Sequence, residues 1–169
     1  MQEDKQYMLR CIELAEASIL AGEFPFGSVI VNQDGVVSES GNTIAASNDV
    51  TQHAEINAMR AAQKKLGNDL TGCTLYSNCE PCAMCAFMIC ELKISRVVFA
   101  VKSPDMGGFT RWDILNDKNA DELAKLGVKF PRTTPYFMEE EASKTFVGFE
   151  KYLLGLPHKA DPKKILKPR

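Results

Sequence analysis

The sequence predicts an α/β fold in which helices pack on the faces of a mixed β-sheet. After an initial hairpin signal, short apolar runs of strand type alternate with segments of helical apolar periodicity. The chain has 169 residues and is 45% hydrophobic, which suffices for one domain with a substantial core. We expect a single domain over residues 1–156, followed by a basic tail at residues 157–169 that has no apolar face.

The N-terminal half predicts a helix, a hairpin and a second helix. Residues 5–21 carry apolar side chains near helical spacing, and a glycine follows them. Two β-rich runs, residues 28–31 and 36–38, flank an Asp-Gly turn and therefore predict a β-hairpin. After a polar, turn-like segment, the pattern predicts a helix over residues 51–65 with Thr51 as its cap.

The C-terminal half begins with alternating strand and helix signals and then weakens. Residues 73–77 predict a short strand, and residues 81–92 predict a strongly apolar helix that follows it. Residues 96–101 are almost entirely apolar, which predicts a strand buried on both faces. Residues 102–115 have the mixed composition of a loop or pocket wall, and residues 139–154 predict a final amphipathic helix.

Two short patches contain metal-binding residue types: residues 53–55 (His-Ala-Glu) and 81–85 (Pro-Cys-Ala-Met-Cys). Cys82 and Cys85 lie one helical turn apart, so their sulfurs point to one locus at a helix N-terminus, where thiolates are favoured. A zinc ion that performs chemistry takes three protein ligands and keeps a position open for water. His53 is the natural third ligand, because the only other histidine lies in the basic tail.

Two alternative metal sites use further cysteines. The run Cys79, Cys82 and Cys85, with Cys90 after it, is similar to the start of a ferredoxin-type iron-sulfur motif, although its last spacing is longer by one residue and no proline follows. Cys79 as a fourth ligand would instead make a purely structural zinc site. An iron-sulfur cluster would give a visible absorbance that zinc does not give.

Composition and charge limit the classes of partner. The net charge of −2 and the isoelectric point near 5.8 give no global attraction to nucleic acid or to an anionic membrane. The acidic N-terminus predicts no signal peptide, and no apolar run approaches the roughly 20 residues of a membrane span. Five of the six cysteines are clustered between Cys73 and Cys90, which argues against a disulfide framework. We expect a soluble, cytoplasmic protein.

The ordered pair His53-Ala54-Glu55 and Pro81-Cys82-x-x-Cys85 resembles the H-x-E…P-C-x-x-C signature of the zinc-dependent cytidine-deaminase-like superfamily. The resemblance extends from about residue 8 to residue 99 and is greatest to bacterial guanine deaminases, then to tRNA adenosine deaminases. It implies a three-layer α/β/α sandwich with a mixed five-stranded sheet. It also implies one Zn²⁺ per chain, held by His53, Cys82 and Cys85.

The same resemblance implies roles for further side chains. Glu55 would be the catalytic acid and base, which takes a proton from water and passes it to a ring nitrogen and then to the departing ammonia. The predicted substrate-binding residues are Asn42, Ala54, Phe26, Glu91 and Asp113. Simpler interpretations stay open for several of them, since Asn42 could be a turn residue, Phe26 a core residue and Glu91 a surface charge.

The implied reaction is the hydrolysis of guanine to xanthine and ammonia, or the equivalent reaction on a related small heterocycle. Gly108-Phe109 is followed by Thr110-Arg111 where guanine deaminases have an acidic residue, and Asp113 is the nearby substitute. The first alternative is adenosine-to-inosine deamination in tRNA, and the second is an inactive deaminase fold that serves as a binding subunit. The resemblance further implies a homodimer in which residues 136–154 reach the partner's site.

Overall fold

A computed structural model describes residues 2–116 and 120–149 of the chain, which form a five-stranded sheet with helices on both faces. The helices are α1 (Gln2–Leu20), α2 (Ile44–Ser47), α3 (Ala54–Leu66), α4 (Ala83–Glu91), α5 (Ala120–Ala124) and α6 (Glu139–Ser143). The strands are β1 (Gly27–Asn32), β2 (Gly35–Gly41), β3 (Thr74–Cys79), β4 (Arg96–Val101) and β5 (Arg132–Thr134). Within these described residues, no helix combines the length and apolar character needed to cross a bilayer.

The sheet is mixed, as predicted, with the strand order β2-β1-β3-β4-β5. Strand β1 is antiparallel to β2 and β3, whereas β3, β4 and β5 run parallel to one another. The carboxyl ends of β3 and β4 therefore meet the start of β1 at one edge, which we call the carboxyl edge. The segments that follow β3 and β4 turn there toward helices and loops, and such an edge is the usual location of a ligand-binding site in an α/β sheet.

Helices cover both faces of the sheet and create two apolar clusters. One cluster packs α3 and α4 against the sheet, and the other packs α1 and α6 against the opposite face. Strand β4 contributes Val97 and Phe99 to the first cluster and Val98 and Ala100 to the second. The predicted burial of this strand on both faces and the three-layer sandwich are confirmed.

Two predicted helix starts are wrong for identifiable reasons. Helix α3 is capped by His53 rather than Thr51, because the Thr51 hydroxyl donates to Oδ1 of Asp49 at 2.8 Å and is committed to a local turn. Helix α4 begins at Ala83 rather than at the predicted proline. Residue Cys82 instead forms an isolated β-bridge with Gly107, which holds its backbone extended.

The last predicted helix is shorter than expected. Helix α6 ends at Ser143, a 3₁₀ turn follows over Lys144–Phe146, and Gly148 has a φ of +87° that ends helical structure. Ala142 and Phe146 are buried, as their spacing predicted. The remaining part of that predicted helix, residues 150–154, and the basic tail, residues 157–169, lie outside the described residues. The sequence pattern did not predict α2, α5 or β5.

Candidate active site and metal centre

The side chains of His53, Cys82 and Cys85 converge at the carboxyl edge. Nδ1 of His53 lies 3.6 Å from each sulfur, and the two sulfurs are 3.6 Å apart. A tetrahedral zinc ion with bonds of about 2.3 Å to sulfur and about 2.0 Å to nitrogen separates its ligand atoms by about 3.5 to 3.8 Å. The observed triangle and its donor set therefore fit zinc, and these three residues are the ones that would hold it.

Two helix N-termini position this triangle. His53 is the N-cap of α3 and Cys82 is the N-cap of α4, and both have extended backbones that direct their side chains away from the helix bodies. Cys85 follows in the first turn of α4 and is buried. The first backbone N–H groups of a helix are unpaired and carry partial positive charge, so the locus favours thiolates.

The electrostatics of the triangle already favour one thiolate. Hydrogen bonds with Cys85 and His53, opposed by burial, lower the pKa of Cys82 to about 4. Burial and the neighbouring Cys82 raise the pKa of Cys85 well above its ordinary value. Burial lowers the pKa of His53, but its bond to Cys82 and the nearby negative charge raise it by more. A divalent cation is the partner that would stabilise both sulfurs as thiolates.

Glu55 lies beside this triangle in the first turn of α3. Its side chain is buried, Oε1 accepts a hydrogen bond from Ser77 Oγ at 3.3 Å, and Oε2 lies 3.7 Å from Cys85 Sγ, which donates to it. Burial raises the pKa of Glu55, while the adjacent His53 opposes the shift. A carboxyl group whose pKa is shifted toward neutrality is suited to take up and return a proton.

Asn42, Ala54 and Phe26 lie at or near the same edge. Asn42 is buried, and its Oδ1 accepts a hydrogen bond from the Ile44 N–H at 3.1 Å. Its Nδ2 is buried and has no partner among the described residues. Ala54 is the first residue of α3 and is buried, whereas the ring of Phe26 packs 5.7 Å from that of Phe146.

The two acidic substrate candidates differ in their placement. Glu91 is exposed at the last residue of α4, at the opposite end of that helix from Cys82. The structure therefore does not bring Glu91 to the site, because the helix start holds the sulfurs and the helix end meets solvent. Asp113 is half-buried in the segment after β4 and accepts a hydrogen bond from Asn116. Its role as a substrate contact stays a prediction.

Glu80 is an important residue to which the sequence assigned no role. Its buried carboxylate accepts hydrogen bonds from the backbone N–H groups of Ser103, Phe109 and Thr110 at 2.7 to 2.9 Å, and from the Thr110 hydroxyl. A Cβ atom at Gly107 would lie 2.0 Å from Glu80 Oε1, so this approach requires glycine. Glu80 thus attaches the segment after β4 to the turn that precedes Cys82.

The alternative sites that use further cysteines find no support. Across residues 2–116 and 120–149, the group of His53, Cys82 and Cys85 is the one set of three or more metal-binding side chains with ligand atoms close enough for a shared ion. Cys79 is buried outside that group. The Cys90 thiol donates to the Ile114 carbonyl at 3.8 Å instead. Neither the iron-sulfur motif nor the four-ligand structural site is formed.

Comparison with known proteins gives three informative relatives. The guanine deaminase of Bacillus subtilis (strain 168) is 35% identical over 133 residues, which are 78% of this chain and 82% of that protein. The tRNA-specific adenosine deaminase of Aquifex aeolicus (strain VF5) is 30% identical over 152 residues, which are 88% of this chain and 95% of that protein. A tRNA(Ile)-lysidine synthase of Deinococcus deserti is 41% identical over 102 residues, but this match spans 59% of this chain and only 19% of that protein.

A solved structure from work on A-to-I editing by tRNA:A34 deaminases superposes with a TM-score of 0.72 at 29% identity. It covers 83% of this chain and 99% of the other chain. Residues 1–101, which include all three residues of the metal triangle, match the cytidine and deoxycytidylate deaminase zinc-binding region. The chain therefore belongs to the cytidine and deoxycytidylate deaminase family of zinc-dependent hydrolases.

Proposed function

We propose that this chain hydrolyses the exocyclic amine of a free purine base of the guanine type, giving the oxo base and ammonia. The observation that carries the proposal is the amide of Asn42. Its Oδ1 is already used by the Ile44 N–H, and its buried Nδ2 has no partner in the described part of the chain. A buried donor without a partner is costly, and an acceptor on a bound base would satisfy it.

The chemistry follows from the residues around the metal triangle. Zinc held by His53, Cys82 and Cys85 would lower the pKa of a bound water toward about 7. Glu55 takes one proton from the attacking water and delivers it to a ring nitrogen of the base. It then transfers the second water proton to the departing amine, which leaves as ammonia while the water oxygen stays on the ring carbon.

Charge supports a small substrate over a polyanionic one. The chain has a net charge of −2, and three consecutive carboxylates, Glu139, Glu140 and Glu141, are exposed on α6. Helix α6 leads into Thr145, whose hydroxyl accepts a hydrogen bond from the Asn78 side chain near the end of β3. A chain of net negative charge repels phosphates, so a neutral base fits better than tRNA.

The second candidate is deamination of adenosine in tRNA. It is favoured by the Aquifex aeolicus relative, which carries the name of that activity and matches over 95% of its own length. The Lys- and Arg-rich residues 157–169 offer positive charge that would attract a phosphate backbone.

We also propose that the protein forms a homodimer. Light scattering of the purified protein at several concentrations tests this proposal.

The test is a panel assay of ammonia release from guanine, adenine, cytosine and their nucleosides, beside inosine formation in tRNA. We expect guanine or a related free purine to be the best substrate, with loss of turnover after chelation and recovery on addition of zinc. The chelated protein is the control for ammonia from contaminating enzymes. Turnover of tRNA without turnover of any free base would overturn the proposal in favour of the second candidate.

A further inference from the structure

Ser77 lies on β3 with no exposed surface, and its hydroxyl is directed at the proposed catalytic carboxylate. The Ser77 Oγ to Glu55 Oε1 distance is 3.3 Å. The same oxygen accepts a hydrogen bond from the Cys79 N–H at 3.4 Å. A hydroxyl has one proton and two acceptor positions, so its acceptance of the backbone N–H leaves the proton free to point at Glu55.

The two oxygens of Glu55 have different neighbours. Oε1 faces Ser77, whereas Oε2 faces Cys85, whose sulfur is one of the proposed metal ligands. As a metal ligand, Cys85 is a thiolate and has no proton to donate. Ser77 is then the side chain in the described residues that still donates a hydrogen bond to Glu55.

We propose that Ser77 is a positioning residue that fixes Oε1 of Glu55 and thereby leaves Oε2 as the oxygen that exchanges protons with water and base. This inference rests on the proposed catalytic role of Glu55 and goes beyond it by assigning different roles to its two carboxylate oxygens. A carboxylate that accepts a hydrogen bond at one oxygen keeps its other oxygen directed at the substrate. Without that hydrogen bond, the carboxylate samples orientations in which neither oxygen faces the substrate. The effect therefore falls on the chemical step rather than on substrate binding.

The matched variants are Ser77→Thr and Ser77→Val. Threonine and valine have nearly the same shape, and both suit a strand, but only threonine retains the hydroxyl. Any crowding at this buried position is therefore shared by the two variants. We expect the Val variant to lose roughly 10- to 100-fold in kcat relative to the Thr variant, with KM and zinc content unchanged, as is usual for side chains that orient a catalytic group.

A control comes from the neighbouring strand. Ser28 lies directly opposite Ser77 in the β1-β3 ladder, is equally buried, and donates its hydroxyl proton to the Tyr76 carbonyl at 2.8 Å. Ser28→Ala removes a buried serine hydrogen bond from the same strand pair without touching Glu55. We expect it to lower thermal stability while leaving kcat within about twofold of the unmodified protein.

A second readout does not depend on turnover. In crystal structures of the zinc-loaded variants, we expect Glu55 to keep its orientation in the Thr variant and to rotate or become disordered in the Val variant. Equal kcat values for the two variants, or an unchanged Glu55 in the Val variant, would overturn the inference. If no base is turned over by the unmodified chain, the proposed function fails, and the crystallographic comparison still decides the role of Ser77.

Discussion

Two buried glutamates near the carboxyl edge, Glu55 and Glu80, have the same side chain and nearly the same exposure, 4% and 3%. Both oxygens of Glu80 are engaged, because three backbone N–H groups and a threonine hydroxyl converge on them. Within the described residues, the side chains that donate to Glu55 are the Ser77 hydroxyl and the Cys85 thiol. The difference lies in how many donors each carboxylate has, not in how deeply it is buried.

This difference separates a structural role from a chemical one. A carboxylate whose acceptor positions are filled by donors anchors the groups that supply those donors, here the segment after β4. A carboxylate with few donors in a buried place has its pKa raised by desolvation, as Glu55 has, and keeps lone pairs available for a substrate. The contrast predicts that Glu55→Gln mainly reduces activity, whereas Glu80→Gln mainly reduces stability.

The largest expected effect is that of Glu55→Gln on turnover. Glutamine retains the size of the side chain but cannot take a proton from water, so ammonia release should fall by about 10²- to 10⁴-fold. Zinc content should stay at one per chain, because Glu55 is not part of the metal triangle. The melting temperature should not fall, since the substitution removes a poorly solvated carboxylate. Full activity in this variant would refute the proposed role.

Glu80→Gln should mainly reduce stability. An amide places an NH₂ group where backbone N–H donors point, so at least one charge-assisted hydrogen bond becomes a donor-donor contact. We expect a loss of about 2 to 4 kcal/mol in the free energy of unfolding, measured by urea denaturation. Glu91→Gln on the exposed end of α4 is the matched control and should change stability by less than about 0.5 kcal/mol. Equal stabilities of the two variants would contradict the anchoring role.

A smaller effect is expected at the opposite edge of the sheet, where Asp4 is a charge-paired carboxylate. Its Oδ1 accepts hydrogen bonds from Arg96 at 2.6 Å and from the Tyr76 hydroxyl at 2.7 Å, and the Arg96 bond is the main cause of its lowered pKa. A lowered pKa contributes stability that is present above the unfolded value near 3.8 and is lost as the pH falls through the folded value. Asp4→Asn should therefore cost about 1 to 3 kcal/mol at pH 7.

The pH series checks the sign of this contribution. The stability difference between the unmodified protein and Asp4→Asn should be constant near neutrality and should shrink below about pH 4. Asp34→Asn, at an exposed carboxylate that lines a surface cavity of about 640 Å³ together with Asp4, is the control for the loss of one carboxylate. A difference that grows on acidification would contradict the paired state of Asp4.

The reactive groups could be predicted because zinc ligands come from few residue types, although His53 lies 29 residues from Cys82. The spacing of Cys82 and Cys85 and the sole histidine outside the tail were enough to predict the metal triangle, and apolar alternation predicted the hairpin and the buried β4. The partners of these groups could not be predicted, because serine hydroxyls and backbone N–H groups occur throughout the chain and no sequence pattern marks the ones that lie close. Ser77 is 22 residues from Glu55, and the donors to Glu80 lie 23 to 30 residues after it.

Errors at the element boundaries come from contacts that local composition does not reveal. Thr51 has the composition of a helix cap, but Asp49 competes for its hydroxyl. The short helix α2 has little intrinsic tendency to form, and its first N–H groups are satisfied by Glu23, which lies 22 residues earlier. Local propensity therefore located α1, α3, α4 and β1 to β4, while specific contacts such as those of Asp49 and Glu23 decided where helices begin.

The central claim is that Glu55 lies beside an open three-ligand zinc site without being part of it. The most direct measurement is a crystal structure of the zinc-loaded protein with anomalous scattering recorded on both sides of the zinc absorption edge. We predict one zinc per chain bound by Nδ1 of His53 and the sulfurs of Cys82 and Cys85, with Glu55 unbound and held by Ser77. A zinc ion whose fourth ligand is Glu55 or Cys79, or an iron-sulfur cluster at this position, would contradict the account.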